Sequence, residues 1–346
     1  MKYFVVPVML LIQIISTSAI ASAVDKHQLV NELKKHIEEF YVLQQNIPAI
    51  MSHLTHFTQS EDFTKAKSAS ELLPILNTRL QAFDKHLGVS HKPNTQDAIE
   101  AKKAPYESWF TQLERKNFGF NRIEILPGNV GVMAFWGFAN VTQESKQKVH
   151  AIMTLLSDVD SLIIDLRENG GGDAAMVQQI SSYFLDKKTH LNSFYSRDTD
   201  QTSEYWTVAI EGKKRPSLPI YILTSNATFS AAEEFAYNFK HLGRAIIIGE
   251  STKGGANPWR FVDIGDDIHV AMPVAMAINP ITNTNWEGKG VQPDHSITAD
   301  KALEYAYKKA LEQLALTQKN PHEMSDIKSA LKQTSFKIIG ENDVSS

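Results

Sequence analysis

The stretch Ile222-Leu-Thr-Ser-Asn-Ala-Thr-Phe-Ser230-Ala-Ala-Glu-Glu-Phe-Ala-Tyr-Asn-Phe239 decides how the chain is read. The apolar run from Pro219 to Leu223 predicts a buried strand, and Phe229, Ala232, Phe235, Ala236 and Phe239 then recur with a helical period. Ser230 therefore stands where a strand has ended and a helix begins. The first N–H groups of a helix lack partners and carry the positive end of its dipole, so they can hold an oxyanion. A serine at that point can be a nucleophile. Ser230-Ala-Ala-Glu233 equally spells a capping box, with the Ser taking the third N–H and the Glu reaching back. Caps are far commoner than nucleophiles, so the rest of the chain has to decide.

With 346 residues, 42% hydrophobic and 21% charged, the composition fits an ordinary globular protein of one large domain or slightly more. A formal net charge of -4 gives no basic footprint, so nucleic acid is not an expected partner. Lys2, the apolar run Phe4 to Ile15 and the small-x-small triplet Ala21-Ser22-Ala23 have the form of a signal peptide over residues 1–23. About a dozen apolar residues are too few for a permanent span, so a periplasmic or secreted protein is expected, starting near Val24. With no cysteine there is no disulfide framework, no lipid-modified Cys and no thiol nucleophile.

Residues 24–86 carry three helical stripes: Leu29, Leu33, Ile37 and Phe40; Ile47, Ile50 and Leu54; and Leu72, Leu73, Ile75, Leu76 and Leu80. They predict a small helical bundle, whose role the sequence does not give. His53 and His56 share a helix face without an acidic partner, which reads as a solvated face rather than a zinc site. Residues 87–120 are polar and turn-rich and read as a linker. From 121 to 317 strands and helices alternate: a hairpin turning at Pro127-Gly128-Asn129, then strand, helix, strand, helix to Ile248, which predicts a mostly parallel layered α/β sheet. The polar tail 318–346 receives no assignment.

A second informative stretch is Leu162-Ile-Ile-Asp-Leu-Arg-Glu-Asn169-Gly-Gly-Gly172-Asp-Ala-Ala. Three glycines between a strand and a helix let backbone approach a ligand closely. Gly170, Gly172 and Ala175 formally match a dinucleotide fingerprint, with Asp198 as the ribose contact, but Arg167-Glu168-Asn169 lengthens the turn and the following units are β-rich. The competing reading makes these amides half of an oxyanion hole facing Ser230. An activated serine also needs a base and a group to orient it. Of twelve histidines, His86 in Phe83-Asp-Lys-His-Leu-Gly-Val lies where a helix runs into a loop, and Glu287, in a turn between Trp286 and Gly288, is a candidate orienter.

Four motifs in this order, Asp165-Leu-Arg-x-Asn-Gly-Gly-Gly, Thr228-Phe-Ser-Ala-Ala-Glu-Glu-Phe, Gly243-Arg-Ala-Ile-Ile-Ile-Gly-Glu and Gly288-Lys-Gly-Val-Gln-Pro-Asp, resemble the tail-specific (C-terminal processing) serine peptidases over about Leu80 to Leu316. The branch resembled is that of the tricorn core protease and the interphotoreceptor retinoid-binding protein modules. The resemblance implies a ClpP/crotonase-like ββα superhelix over 121–317, Ser230 as nucleophile, and the amide of Ala231 with the Gly171/Gly172 turn as oxyanion hole. One branch activates its serine with a lysine; counting from Ser230 puts Gly255 at that place, with Lys253 two residues early. The other branch uses a histidine before the core and a glutamate before the Gly-x-Gly-Val-x-Pro-Asp run, which His86 and Glu287 match. Ser230/His86/Glu287 is therefore favoured over a displaced Ser230/Lys253 dyad. About thirty residues between the two parts are too few for the PDZ domain of many relatives, by the size of a domain. The implied activity is endopeptidase acyl transfer on a protein or peptide substrate, with no metal or organic cofactor; oligomeric state is not indicated. The alternative is a non-catalytic module that holds an apolar ligand on the same fold.

Overall fold

The computed structural model describes residues 25–92, 107–265 and 267–342. The signal peptide expected over 1–23 lies outside them.

Helices α1 (Lys26–Phe40), α2 (Ile47–Phe57), α3 (Glu61–Lys65) and α4 (Ala69–Leu80) open the chain. Asp25, Ser60 and Ser68 cap α1, α3 and α4 with their side chains, and so hold N–H groups that the helix itself leaves free. The bundle does not close its core alone. Leu33, Ile37, Leu54 and Leu76 pack with Val262, Val270 and Met272 from a three-stranded antiparallel sheet in the order β1 (Gly88–His91), β10 (Ile268–Pro273), β9 (Trp259–Ile264). The linker expected over 87–120 needs correction. It contains β1, with Val89 opposite Val270, and the helix α5 (Trp109–Arg115). A four-residue strand beside Lys92-Pro93-Asn94 is too short for alternation to stand out from turn composition.

The second layer is a six-stranded sheet in the order β12 (His295–Ser296), β8 (Ile246–Gly249), β7 (Ile220–Thr224), β4 (Ser161–Asp165), β3 (Val130–Phe135), β2 (Phe120–Leu126). Only the β2–β3 hairpin, turning at Pro127 to Asn129 as expected, is antiparallel. Every residue of β7 is buried because both faces are covered, and so the sequence reads as an unbroken apolar run. Ile220 and Ile222 meet α6 (Gln143–Leu155), α7 (Ala174–Ser181) and α8 (Ala231–His241); Tyr221 and Leu223 meet α9 (Ala299–Thr317) and α10 (Pro321–Asn342). The tail that received no assignment thus supplies α10, whose Ile327 and Ala330 are buried one turn apart. Strands β5 (His190–Ser196), β6 (Gln201–Trp206) and β11 (Ala275–Ile278) form a third, antiparallel sheet.

Candidate active site

Adjacent parallel strands deliver their carboxyl ends to the same edge of a sheet. β4 and β7 pair in parallel, Asp165 beside Leu223, so the turn after β4 and the turn after β7 emerge together. The first carries the glycines and the second carries Ser230. Ser230 sits at the N-cap of α8 with φ 55° and ψ -121°, a conformation that non-glycine residues rarely adopt. Such strain persists only where surrounding contacts hold it. Here the outline of a capping box is present, but Ser230 Oγ makes no cap hydrogen bond; the half that forms is the Ser230 N–H donating to Glu233 Oε2 at 2.8 Å. Glu233 is fully buried and accepts three further bonds, from the Thr252 hydroxyl and the N–H groups of Gly254 (2.6 Å) and Gly255 (2.9 Å). It therefore clamps the serine turn to the 252–255 loop.

The other side of the serine is held by Asn169, also fully buried. Its amide donates to Phe135 O (2.8 Å), its carbonyl oxygen Oδ1 accepts from Gly171 N (2.9 Å), and its backbone O accepts from Phe229 N (3.0 Å). A Cβ on Gly171 would lie 2.8 Å from Ser230 Cβ, and one on Gly172 would lie 2.0 Å from Phe138 O, so both positions require glycine. The two glycines of the expected Gly171/Gly172 turn are not equivalent. The Gly171 N–H is spent inward on Asn169. Among the described residues the amides of Gly172 and Ala231 meet no hydrogen-bond acceptor, and both residues line the cavity at Ser230.

His86 comes from the turn after α4 and packs its ring on Phe229, centroids 4.6 Å apart. It lines the same cavity as Ser230, with no hydrogen bond between the two side chains. Such bonds are often long in unliganded hydrolases and tighten when substrate excludes water. The lysine position of the other branch is closed: a Cβ on Gly255 would lie 2.1 Å from the Phe229 ring and 2.8 Å from His86 Cε1. Lys253 is exposed, with Nζ 4.6 Å over the Phe229 ring.

A residue that sequence reasoning missed lies behind His86. Asp84 is 1% exposed; its Oδ1 accepts the His86 backbone N–H at 2.9 Å and lies 4.0 Å from His86 Nδ1, which has no hydrogen-bond partner. Asp84 Oδ2 accepts from Asn257 Nδ2 (3.0 Å) and Tyr41 OH (3.3 Å). Glu287 stands beside it, accepting from the N–H groups of Ala256 (2.6 Å), Asn257 (3.3 Å) and Lys85 (3.4 Å). One ligand-type atom from each of Asp84, His86 and Glu287 lies within 4.8 Å of the others, the one such cluster among the described residues. Its carboxylates already receive backbone and side-chain donors, as an orienting acid pair would. Burial and the neighbouring Asp84 charge push Glu287 up to about 7, and burial raises Asp84 too, so the pair holds a proton near neutrality. Burial, with the Lys253 charge second, lowers His86 to about 4.

The cavity measures about 880 Å³ and is walled by aromatic rings, among them Trp109 and Phe110 of α5, Phe194 and Trp286. No residue of α1 to α4 lines it. Asp198 pairs with Arg260 instead of standing free for a ribose, and β5 and β6 form a hairpin where a dinucleotide fold continues βα. His53 packs edge-on against Phe83, and His56 Nδ1 meets Ser52 O.

Residues 129–297 match peptidase family S41, and residues 17–117 match the N-terminal domain described for that family in eukaryotic IRBP. Residues 118–128 between them are too few for an inserted domain. The carboxy-terminal processing protease CtpB of Bacillus subtilis is 26% identical over 171 residues, 49% of this chain and 34% of that protein. The chloroplastic carboxyl-terminal-processing peptidase 2 of Arabidopsis thaliana is 29% identical over 188 residues, 51% of this chain and 35% of that protein. The aligned regions thus span about a third of the length of these relatives. In fold the chain resembles a putative peptidase from Parabacteroides merdae (TM-score 0.61, 16% identity, 83% of this chain and 96% of that one) and a lipoprotein from Streptococcus agalactiae (TM-score 0.53, 14% identity, 90% and 100%). No helix among the described residues is long and apolar enough to cross a membrane. With both matches in place, over residues 17–117 and 129–297, on the mixed α/β architecture just described, the chain belongs to peptidase family S41.

Proposed function

We propose that this protein is an exported serine endopeptidase, acting in the periplasm or outside the cell on protein or peptide chains. The observation that carries the proposal is the positive-φ Ser230 at a helix N-terminus, sharing one cavity with a buried His86 and two unbonded amides. His86 takes the Ser230 proton as Oγ attacks the scissile carbonyl. The tetrahedral oxyanion rests on the N–H groups of Ala231 and Gly172, each contributing on the order of 3 kcal/mol. His86 then protonates the leaving amine, and a water activated by the same imidazole releases the acyl group. Burial keeps the His86 ring neutral at working pH, the form that can take the Ser230 proton. Asp84 and Glu287 orient it from behind. Lys253 is exposed over the Phe229 ring and does not line the cavity, which speaks against the Ser230/Lys253 dyad. Export rests on the 1–23 leader pattern.

The test is covalent labelling by an uncharged fluorophosphonate. Wild type labels, Ser230→Ala does not, His86→Ala labels roughly 10²–10⁴ times more slowly, as expected for loss of a general base, and Lys253→Ala still labels. A wild type that fails to label sinks the hydrolase reading and favours the second one, a module holding an apolar ligand, for which the large aromatic cavity is the supporting observation.

A further inference from the structure

Glu234 follows the clamp residue Glu233 and has no part in the chemistry above, yet it lines the cavity that holds Ser230. It is 2% exposed, and its Oε1 has no hydrogen-bond partner. A buried carboxyl oxygen without a donor is costly unless something else meets it. The groups around it do not supply a charge. The Asn192 amide lies beside it but makes no hydrogen bond of ordinary geometry, and burial, with the charge of another acid, Asp173, pushes the carboxyl up to about 8, so it ionises when a cation meets it. Asp173 oxygens are themselves committed to the N–H groups of Ala175 and Val141. Among the described residues no lysine or arginine lines the cavity, whose walls include Trp109, Phe110, Phe194, Tyr205 and Trp286. A carboxyl at the base of an aromatic box is the chemistry that receives an organic cation, through charge pairing and cation–π contact.

We infer that this cavity seats the positively charged side chain, lysine or arginine, of the residue whose carbonyl Ser230 attacks, with Glu234 as its counter-ion. The register fits. Glu234 lies in the first turn of the helix that Ser230 caps, and both residues line the one cavity. The inference deepens the peptidase reading and rests on it, since it names the substrate class of the same site.

Two measurements on the full chain separate the two ideas. Binding of benzamidine and of its neutral counterpart benzamide is followed through the intrinsic fluorescence of Trp109 and Trp286 or by calorimetry. The cation is expected to bind at least about 30-fold more tightly than the neutral compound in wild type, as for a desolvated charge pair, and this gap should collapse in Glu234→Gln, a near-isosteric change. Paired fluorogenic peptides with Lys or Leu at the cleaved position should show the same reversal in kcat/KM. Equal binding of benzamidine and benzamide by wild type overturns the inference and needs no variant. Labelling by the uncharged fluorophosphonate together with equal binding would leave the hydrolase standing and remove the cation site. Cation-selective binding without labelling would support the cation site and remove the hydrolase.

Discussion

The two halves of the candidate site are built in opposite ways. The nucleophile half lies within one α/β layer, between the ends of β4 and β7, and its buried acid is fully satisfied: Glu233 accepts four donors and Asn169 joins three backbone groups. The base half is assembled across layers, from the turn after α4 and from loops more than 170 residues away in sequence, such as Asn257 against Asp84. There two acids crowd together and His86 Nδ1 is left without a partner. The contrast teaches where rigidity is needed. A serine held at positive φ must be fixed by stability, whereas a base that picks up and gives back a proton sits among groups whose charge is easily changed.

The largest effect that would break this comparison is on the nucleophile side. Glu233→Ala strands the N–H groups of Ser230, Gly254 and Gly255 and the Thr252 hydroxyl in a dry interior. Removal of a buried, multiply bonded acid should cost about 3–5 kcal/mol, seen as a lower urea midpoint at constant m-value. A loss below about 1 kcal/mol would mean that Ser230 owes its conformation to something else.

Asp84→Asn should behave in the other way, with a clear loss of activity and little loss of stability. Labelling should slow about 10- to 100-fold, short of the roughly 10²–10⁴ expected for loss of the base. The stability effect depends on pH, and its sign follows from the raised carboxyls. Between the ordinary carboxylate range and about 7, folded Glu287 keeps a proton that the unfolded chain has released, so wild-type stability falls as pH rises through that window. Asparagine removes the Asp84 charge that is one cause of the rise. The variant should therefore gain on wild type between pH 5 and pH 8, by about 1–2 kcal/mol. Thermal midpoints of both proteins across that range are the measurement, and a gap that is flat or widens against the variant would show that the two acids do not interact.

The nucleophile half was legible in the sequence because its signals are local. The apolar run before Leu223 and the helical period after Phe229 place Ser230 at the boundary where the structure has it. The base half was legible only through family motifs, since an Asp in the polar turn Phe83-Asp-Lys-His is ordinary until the fold brings Glu287 beside it. Other misses are equally physical. Three consecutive glycines look alike in sequence, and only the Asn169 side chain distinguishes Gly171 from Gly172. Glu233 and Glu234 are the same letter, but the 100° step of a helix sends one into the 252–255 loop and the other into the cavity. The tail helix and the strand at 88–91 escaped because the apolar side chains they are seen to bury, Ile327 and Ala330 in one and Val89 in the other, are few and meet distant partners.

Lys253 gives the smallest effect and the sharpest test of how the base half works. As a base it would be indispensable. As a neighbour it only adds a positive charge that, after burial, helps to lower His86 to about 4. Lys253→Met should then leave labelling near wild-type rates at pH 7, where His86 is already neutral, and move the acid limb of the rate profile slightly upward. Because Lys253 is exposed, the displacement should shrink between about 0.1 M and about 1 M salt, as the screening length falls from about 10 Å to about 3 Å. The acid limb is also where stability responds. A histidine held below its ordinary value carries fewer protons folded than unfolded, so stability is lost as pH falls from about 6.5 toward 4. Raising that value by removing Lys253 should recover a little of the loss at pH 5 and none at pH 8. An acid limb that stays in place at low salt would mean that burial alone sets the proton affinity of His86, and loss of labelling at pH 7 would return the serine to a lysine base.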